Sequence, residues 1–65
     1  MLYVTKANGE KEPFKKEKII RTCIRMRAPP SIAEEIANKI EKRAYNGIPT
    51  KKILNMIFDF LREYR

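Results

Sequence analysis

The chain has 65 residues and a formal net charge of +7, with 15 lysines and arginines against eight aspartates and glutamates. This length allows one domain, near the lower limit for a self-sufficient hydrophobic core. The charge favours an anionic partner, which could be a nucleotide, a nucleic acid or an acidic membrane. With no histidine and one cysteine, an ordinary zinc site and a serine–histidine or cysteine–histidine catalytic pair are excluded.

The cysteine content and the hydropathy pattern bear on the cellular setting. Cys23 lies within an apolar helical pattern and has no second cysteine with which to form an intramolecular disulfide. No apolar run is long enough for a signal peptide or a membrane span. The sequence therefore predicts a cytoplasmic protein with no membrane segment.

The first predicted element is a β-hairpin over residues 2–13. Asn8-Gly9 is a strong hairpin signal, because both central residues of a type I′ turn need a positive φ. The segment before this turn is rich in β-branched and aromatic residues, as strands are. After the turn, a short polar strand is predicted to stop at Pro13.

The first helix is predicted over residues 15–27, with Phe14 just outside it and packed against Ile19 as a hydrophobic staple. Its apolar residues recur at three- and four-residue spacing. Four basic residues share another side of this helix: Lys15, Lys18, Arg21 and Arg25. A helix N-terminus carries unpaired N–H groups and favours anions, so this basic track predicts an anion site with phosphate as the obvious ligand.

The second helix is predicted over residues 32–46, capped by Ser31 with Glu34 completing a capping box. Asn46-Gly47 is expected to close it with a left-handed cap. Its apolar residues form one stripe, and the opposite side alternates in charge as a solvated surface does.

Ile48-Pro49 is predicted as a third short strand beside the hairpin, because the residue before a proline is extended. The third helix is predicted over residues 51–64 with Thr50 as its cap, and Leu54 and Phe58 widen its apolar stripe. The elements together predict an α+β fold, in which the hairpin and the third strand cap a small three-helix bundle, as one domain over residues 1–65.

Three blocks of the chain carry a resemblance: Val4-Thr5-Lys6-x-Asn8-Gly9, Glu12-Pro13-Phe14-x-x-Glu17-Lys18-Ile19, and Tyr45-Asn46-Gly47-Ile48-Pro49-Thr50-x-x-Ile53. In this order and spacing they resemble the ATP-cone, the nucleotide-binding regulatory domain of many ribonucleotide reductases and related proteins. The resemblance covers essentially the whole chain. It implies binding of ATP or dATP between the sheet and the helices, coupled to oligomerisation or to a partner or fused enzyme.

The resemblance also implies which residues contact the nucleotide. Those expected at the adenine and ribose are Val4, Lys6, Glu12 and Phe14. Lys15 and Lys18 are expected at the phosphates, and Arg21 and Arg25 are expected to extend this basic track. Thr50 and Ile53 are expected to close the far wall of the pocket. No Walker-type or other glycine-rich phosphate loop is present, and no nucleophile–base pair, so binding without catalysis is predicted. Mg²⁺ can accompany the nucleotide, but no acidic cluster would hold it alone.

The chain departs from the family pattern in two ways. Ala7 stands where the family usually has a basic residue after the strand lysine, so one phosphate or base contact is expected to be missing. The family domain normally continues past the third helix into a further helix that lines the site. The expectation is therefore an incomplete pocket, or a chain that is a piece of a longer protein.

Other interpretations stay open from the sequence. The main alternative is a small basic domain that binds nucleic acid by contacting phosphates through the first helix, although a base-reading helix and an aromatic stacking platform are not evident. Glu12 fits either a surface ion pair or a hydrogen-bond acceptor for ribose or adenine. A membrane-surface helix is disfavoured, because the first helix lacks large aromatic anchors. The third helix, through Leu54 and Phe58, is predicted to dock on a partner subunit, which could be a second copy or a partner enzyme, on a missing helix or on a fused enzyme domain.

Overall fold

The structure is a computed structural model that describes residues 2–64. Along the chain lie β1 (Tyr3–Thr5), β2 (Lys11–Pro13), α1 (Lys16–Arg25), α2 (Pro30–Arg43), β3 (Ile48–Pro49) and α3 (Thr50–Tyr64). The fold is α+β, as predicted, with three helices and a three-stranded sheet of order β2-β1-β3. The central strand β1 is antiparallel to β2 and parallel to β3.

The core lies between the sheet and the three helices, each of which contacts the other two. Its largest fully buried side chains are Ile40 on α2, Ile48 on β3 and Cys23 on α1. No polar or charged side chain is buried among residues 2–64. Burial of apolar surface between sheet and helices is therefore the main stabilising contribution.

The hairpin turn differs from the predicted type I′ turn. Gly9 has a φ of 88°, whereas Asn8 lies outside the left-handed region. The Gly9 N–H donates to the Lys6 carbonyl over 2.9 Å, and the Lys6 N–H donates to the Glu10 carbonyl over 2.7 Å. The loop is thus a three-residue connection ending in a left-handed glycine, so only glycine needs the positive φ.

Strand β2 includes Pro13, which was predicted to stop it. Pro13 pairs with Tyr3, and β2 lies at an edge of the sheet. An edge strand needs ladder hydrogen bonds on one side only, which is why proline is tolerated there.

Helix α1 is shorter than the predicted 15–27 at both ends. Lys15 is the N-cap, with an extended φ of −130°. At the other end the Ala28 N–H donates to the Cys23 carbonyl and the Arg27 N–H to the Ile24 carbonyl. This pair of bonds is a Schellman motif, and it places Arg27 at a φ of 69°.

Replacing Arg27 with glycine is expected to raise the free energy of unfolding by about 1 kcal/mol, because glycine adopts left-handed backbone without the steric cost of a Cβ. The Arg27 side chain is exposed, so little packing is lost. The control is Arg21→Gly, at an exposed position inside α1, where glycine is expected to lower stability by about 1 kcal/mol. Urea denaturation measures both changes, and a similar loss in the two variants would contradict this geometry.

Helix α2 begins and ends earlier than the predicted 32–46. Pro30 is its first residue, and the N-cap is Pro29, at φ −61° and ψ 150°, rather than Ser31. A proline fits the first helical position and forces the preceding residue to be extended, and these two effects outweigh the capping box. The helix stops at Arg43, since Ala44 is extended, so Asn46-Gly47 is not its cap.

Asn46 and Gly47 instead form a turn that is tied to β1. The Ile48 N–H donates to the Tyr45 carbonyl, and Gly47 has the positive φ, 89°, that a type II turn needs at its third position. The Gly47 N–H donates to the Tyr3 carbonyl over 2.8 Å, and the Tyr3 N–H donates to Asn46 Oδ1 over 3.0 Å. This turn aligns β3 beside β1, and α3 follows at once, starting at the predicted cap residue, Thr50.

Candidate functional site

A cavity of about 150 Å³ opens where the sheet, the start of α1 and the first half of α3 meet. Its apolar lining is Val4, Pro13, Phe14, Ile19, Ile53, Leu54 and Ile57, and its polar lining is Glu12, Lys15, Lys18, Thr22 and Thr50. Ligand pockets in proteins usually measure about 300–1,000 Å³. The cavity can therefore enclose the apolar part of a ligand and leave the rest at its lysine-lined opening.

Helical periodicity explains how two helices line one cavity. Residues at i, i+3, i+4 and i+7 share one side of a helix. Four residues from the start of α1 have this spacing: Lys15, Lys18, Ile19 and Thr22. Four residues from α3 repeat it: Thr50, Ile53, Leu54 and Ile57. The sheet completes the wall with Val4 and its cross-strand partner Glu12.

Seven of the nine residues predicted at the site line this cavity: Val4, Glu12, Phe14, Lys15, Lys18, Thr50 and Ile53. Lys6 does not line it, but its Nζ lies 3.9 Å from Glu12 Oε2. Arg21 is exposed on α1 and lies outside the lining.

The cavity has five lining residues that the sequence interpretation missed as site residues: Pro13, Ile19, Thr22, Leu54 and Ile57. Ile19 was predicted to pack against Phe14 as a staple, and Leu54 was assigned to a docking surface. Helical spacing could have identified two of the five, because Thr22 is the i+7 residue counted from Lys15 and Ile57 is the i+7 residue counted from Thr50. Nothing in the sequence marks Pro13 as a lining residue.

The electrostatics of the opening centre on Glu12. Lys18 Nζ donates to Glu12 Oε1 over 3.0 Å. This hydrogen bond is the main reason that the pKa of Glu12 lies below its ordinary value of 4.5; partial burial acts in the opposite direction, and the charges of Lys18, Lys6 and Lys15 lower the pKa further. Three lysines therefore face one ionised carboxylate, which leaves the opening positive and suited to an anion.

The N-terminus of α1 adds to this positive potential. Its N-cap, Lys15, makes no side-chain capping hydrogen bond, and the Lys18 N–H donates to the Lys15 carbonyl over 3.2 Å. The positive end of the helix dipole thus coincides with the lysines of the opening. An oxyanion bound here can take hydrogen bonds from backbone and side chains together.

The lowered pKa of Glu12 predicts a pH dependence of stability. The ionised carboxylate stabilises the fold at pH values above 4.5, which is the ordinary pKa of this group. This contribution is lost as the pH falls through the lowered pKa of Glu12 in the folded protein. Wild type is therefore expected to exceed Glu12→Gln in stability at neutral pH, with the difference fading at pH values below 4.5.

Urea denaturation of both proteins over this pH range tests the prediction. Glu34→Gln is the control, because Glu34 is exposed on α2 and no α2 residue lines the cavity. A stability difference between wild type and Glu12→Gln that stayed constant with pH would contradict the ion-paired carboxylate.

Residues 2–64 offer neither a metal site nor a membrane-spanning helix. No cluster of three or more histidine, cysteine or acidic residues within residues 2–64 could hold a metal ion. Among the helices described there, none is both long and apolar enough to cross a membrane.

Cys23 is fully buried, and its burial raises the pKa of the thiol, so the neutral thiol packs as part of the core.

Comparison with known families identifies the domain. A family model described as the ATP cone domain matches residues 2–65. The chain belongs to the ATP-cone family. ATP-cone domains are regulatory modules that bind ATP or dATP and have no catalysis of their own. The resemblance seen in the sequence is thereby confirmed.

One relative of this ATP-cone chain is a protein of Archaeoglobus fulgidus that is described as uncharacterised. The two sequences are 47% identical over 45 residues, which are 69% of this chain and 94% of the relative. No solved structure gives a significant match to the chain.

Proposed function

We propose that this ATP-cone domain binds ATP or dATP in the cavity between the sheet, α1 and α3, and regulates a partner or fused enzyme without turning the nucleotide over. The main support for this proposal is that residues from three separated sequence blocks meet at one cavity. This cavity has an apolar interior and three lysines around its opening. A purine nucleotide matches this arrangement, because its flat base suits the apolar interior and its anionic phosphates suit the lysines.

The apolar interior is the proposed place of the base. Val4 on β1, Phe14 between β2 and α1, and Ile53 on α3 all line the cavity. A flat ring between these side chains removes apolar surface from water on both of its faces. Thr50 lines the same cavity and offers a hydroxyl that can donate or accept a hydrogen bond.

The phosphates are proposed to lie at the start of α1. Lys15 and Lys18 border the cavity there, and Arg21 follows Lys18 by one helical turn. A charge-assisted hydrogen bond is worth about 1.5–3 kcal/mol, so two or three such contacts supply a large share of micromolar affinity. Lys6 can join from the sheet, because it lies beside Glu12. A nucleotide-bound Mg²⁺ would be held by the phosphates.

The response to binding is proposed to pass through α3. Leu54 lines the cavity and is also 40% exposed, and Phe58, one turn further on, is 41% exposed. A ligand that contacts Leu54 in the cavity therefore also changes the exposed surface of α3, to which a second copy or a partner enzyme is proposed to bind. Regulation needs this kind of differential affinity for two states.

Isothermal titration with ATP, dATP and a short DNA duplex tests the proposal. We expect saturable heat with nucleotide at about one or two molecules per chain, and a rise in thermal stability as ligand is added. Binding of the duplex is expected to be weak and to fall steeply with salt. Absence of heat with both nucleotides would overturn the proposal, whereas tight duplex binding would favour the nucleic-acid alternative. A size measurement with and without ATP tests the coupling to oligomerisation.

A further inference from the structure

The carboxylate of Glu12 occupies the place where an anion would meet two lysines. Glu12 Oε1 lies 3.0 Å from Lys18 Nζ, and Glu12 Oε2 lies 3.9 Å from Lys6 Nζ. Glu12 lies on β2, Lys18 on α1, and Lys6 directly follows β1, so the packing of the hairpin against the helix assembles this group. The Glu12 side chain is 27% exposed, which leaves it accessible from the opening of the cavity.

We propose that Glu12 is a specificity-determining residue, which competes with phosphate for Lys18 and Lys6 and so disfavours polyphosphates that carry no nucleoside. The inference rests on the proposed function and deepens it, because it concerns what the same cavity accepts. Glu12 is placed here as an internal counter-anion, present before any ligand arrives.

Inorganic polyphosphate has two disadvantages at this group. An oxygen that reaches Lys18 must share the ammonium group with Glu12, to which Lys18 already donates over 3.0 Å. The carboxylate then remains within a few ångström of a polyanion, and like charges at that separation repel. Inorganic polyphosphate has no apolar group to fill the cavity interior, so it gains no burial of apolar surface to offset these two disadvantages.

A nucleotide meets the same group with two compensations. Its base can fill the apolar interior lined by Val4, Phe14 and Ile53. Its exocyclic amino group or ribose hydroxyls can donate hydrogen bonds to Glu12, since an ionised carboxylate only accepts. Glu12 therefore repels the phosphates of both ligands and shares their lysines, but only the nucleoside part can compensate for this.

The test compares tripolyphosphate with ATP on wild type and on Glu12→Gln by isothermal titration at fixed salt. Removing the unit charge is expected to strengthen tripolyphosphate binding by about tenfold or more, the size of effect for one charge a few ångström from an anion when water screens most of the repulsion. ATP gains less, because its donors lose the carboxylate. The ratio of the tripolyphosphate Kd to the ATP Kd is thus expected to fall.

Glu17→Gln is the matched control. Glu17 lies in the first turn of α1, next to Lys18 in sequence, but does not line the cavity. It makes the same change in net charge, so a similar gain in this variant would overturn the inference by showing a general charge effect. Glu12→Thr, which also removes the charge and suits a strand, is measured beside Glu12→Gln so that the result does not depend on one folded variant.

An unchanged or weaker tripolyphosphate affinity in the folded Glu12 variants would also overturn the inference. This outcome is distinct from failure of the proposed function, which would appear as no ATP binding by wild type. The tripolyphosphate comparison between wild type and variants remains readable in that case, because it needs no bound nucleoside.

Discussion

Lys18→Ala is expected to weaken ATP binding by about 10- to 100-fold, the largest effect of any single side chain at the cavity. Lys18 both lines the cavity and donates to Glu12. Its removal deletes a charge-assisted contact worth about 1.5–3 kcal/mol and leaves Glu12 less neutralised beside the phosphates. Isothermal titration with ATP measures the change in Kd.

Lys16→Ala is the control for this prediction. Lys16 belongs to the same first turn of α1, but its Nζ lies 4.0 Å from Glu41 Oε1 on α2 and it does not line the cavity. Its loss is expected to change the ATP Kd by less than about threefold, as for a solvent-screened charge. Equal losses in both variants would show that ATP senses only net charge.

The double variant Glu12→Gln/Lys18→Ala separates the two contributions. If part of the loss in Lys18→Ala comes from the carboxylate left behind, removing that carboxylate is expected to recover part of the affinity. Additive effects would mean that the two side chains act independently on ATP, despite the 3.0 Å between them.

Ile40→Ala is expected to lower the free energy of unfolding by about 2–4 kcal/mol, the largest stability loss from a single core truncation. Ile40 is completely buried on α2, within the cluster that joins the helices and the sheet. A domain of this size has about 3–10 kcal/mol of stability in all. The variant is therefore expected to be partly unfolded at physiological temperature, as urea and thermal denaturation would show.

Ile24→Ala makes the same chemical change at a position that is 47% exposed on α1. Its expected loss is below about 1 kcal/mol, because no cavity forms in the core. Comparable losses at the two positions would contradict the burial described for Ile40. Added ATP is expected to restore part of the stability of Ile40→Ala, since a ligand that binds only the folded state shifts the unfolding equilibrium.

Local sequence signals predicted the elements well and their ends poorly. The ends of α1 and α2 depend on competing backbone preferences. Arg27 takes the left-handed position that glycine would usually occupy, and Pro30 starts α2 in spite of a capping box at Ser31. Asn46-Gly47 was recognised as a left-handed signal but assigned to the wrong structure, since its hydrogen bonds go to Tyr3, more than forty residues away.

The lining of the cavity was predictable in part. The helical spacing grouped Lys15 with Lys18 on one side of the helix, and the family pattern assigned Val4, Phe14 and Ile53 to a nucleotide site. All five residues line the cavity. The contacts that join Glu12 to Lys18 and Lys6 require three elements to pack at a particular angle, which no local pattern encodes. The inward position of Leu54 depends in the same way on how α3 lies against α1.

The direct passage from β3 into α3 has a mechanical consequence. Pro49 ends the strand and Thr50 begins the helix, with no intervening residue, while β3 is paired to β1. No loop at this junction can take up a rotation of α3, so the sheet and α3 are expected to move as one rigid body. Movement is then expected at the packing contact between α1 and α3. Closing this contact on a ligand would displace the far end of α3, near Tyr64, by the largest distance.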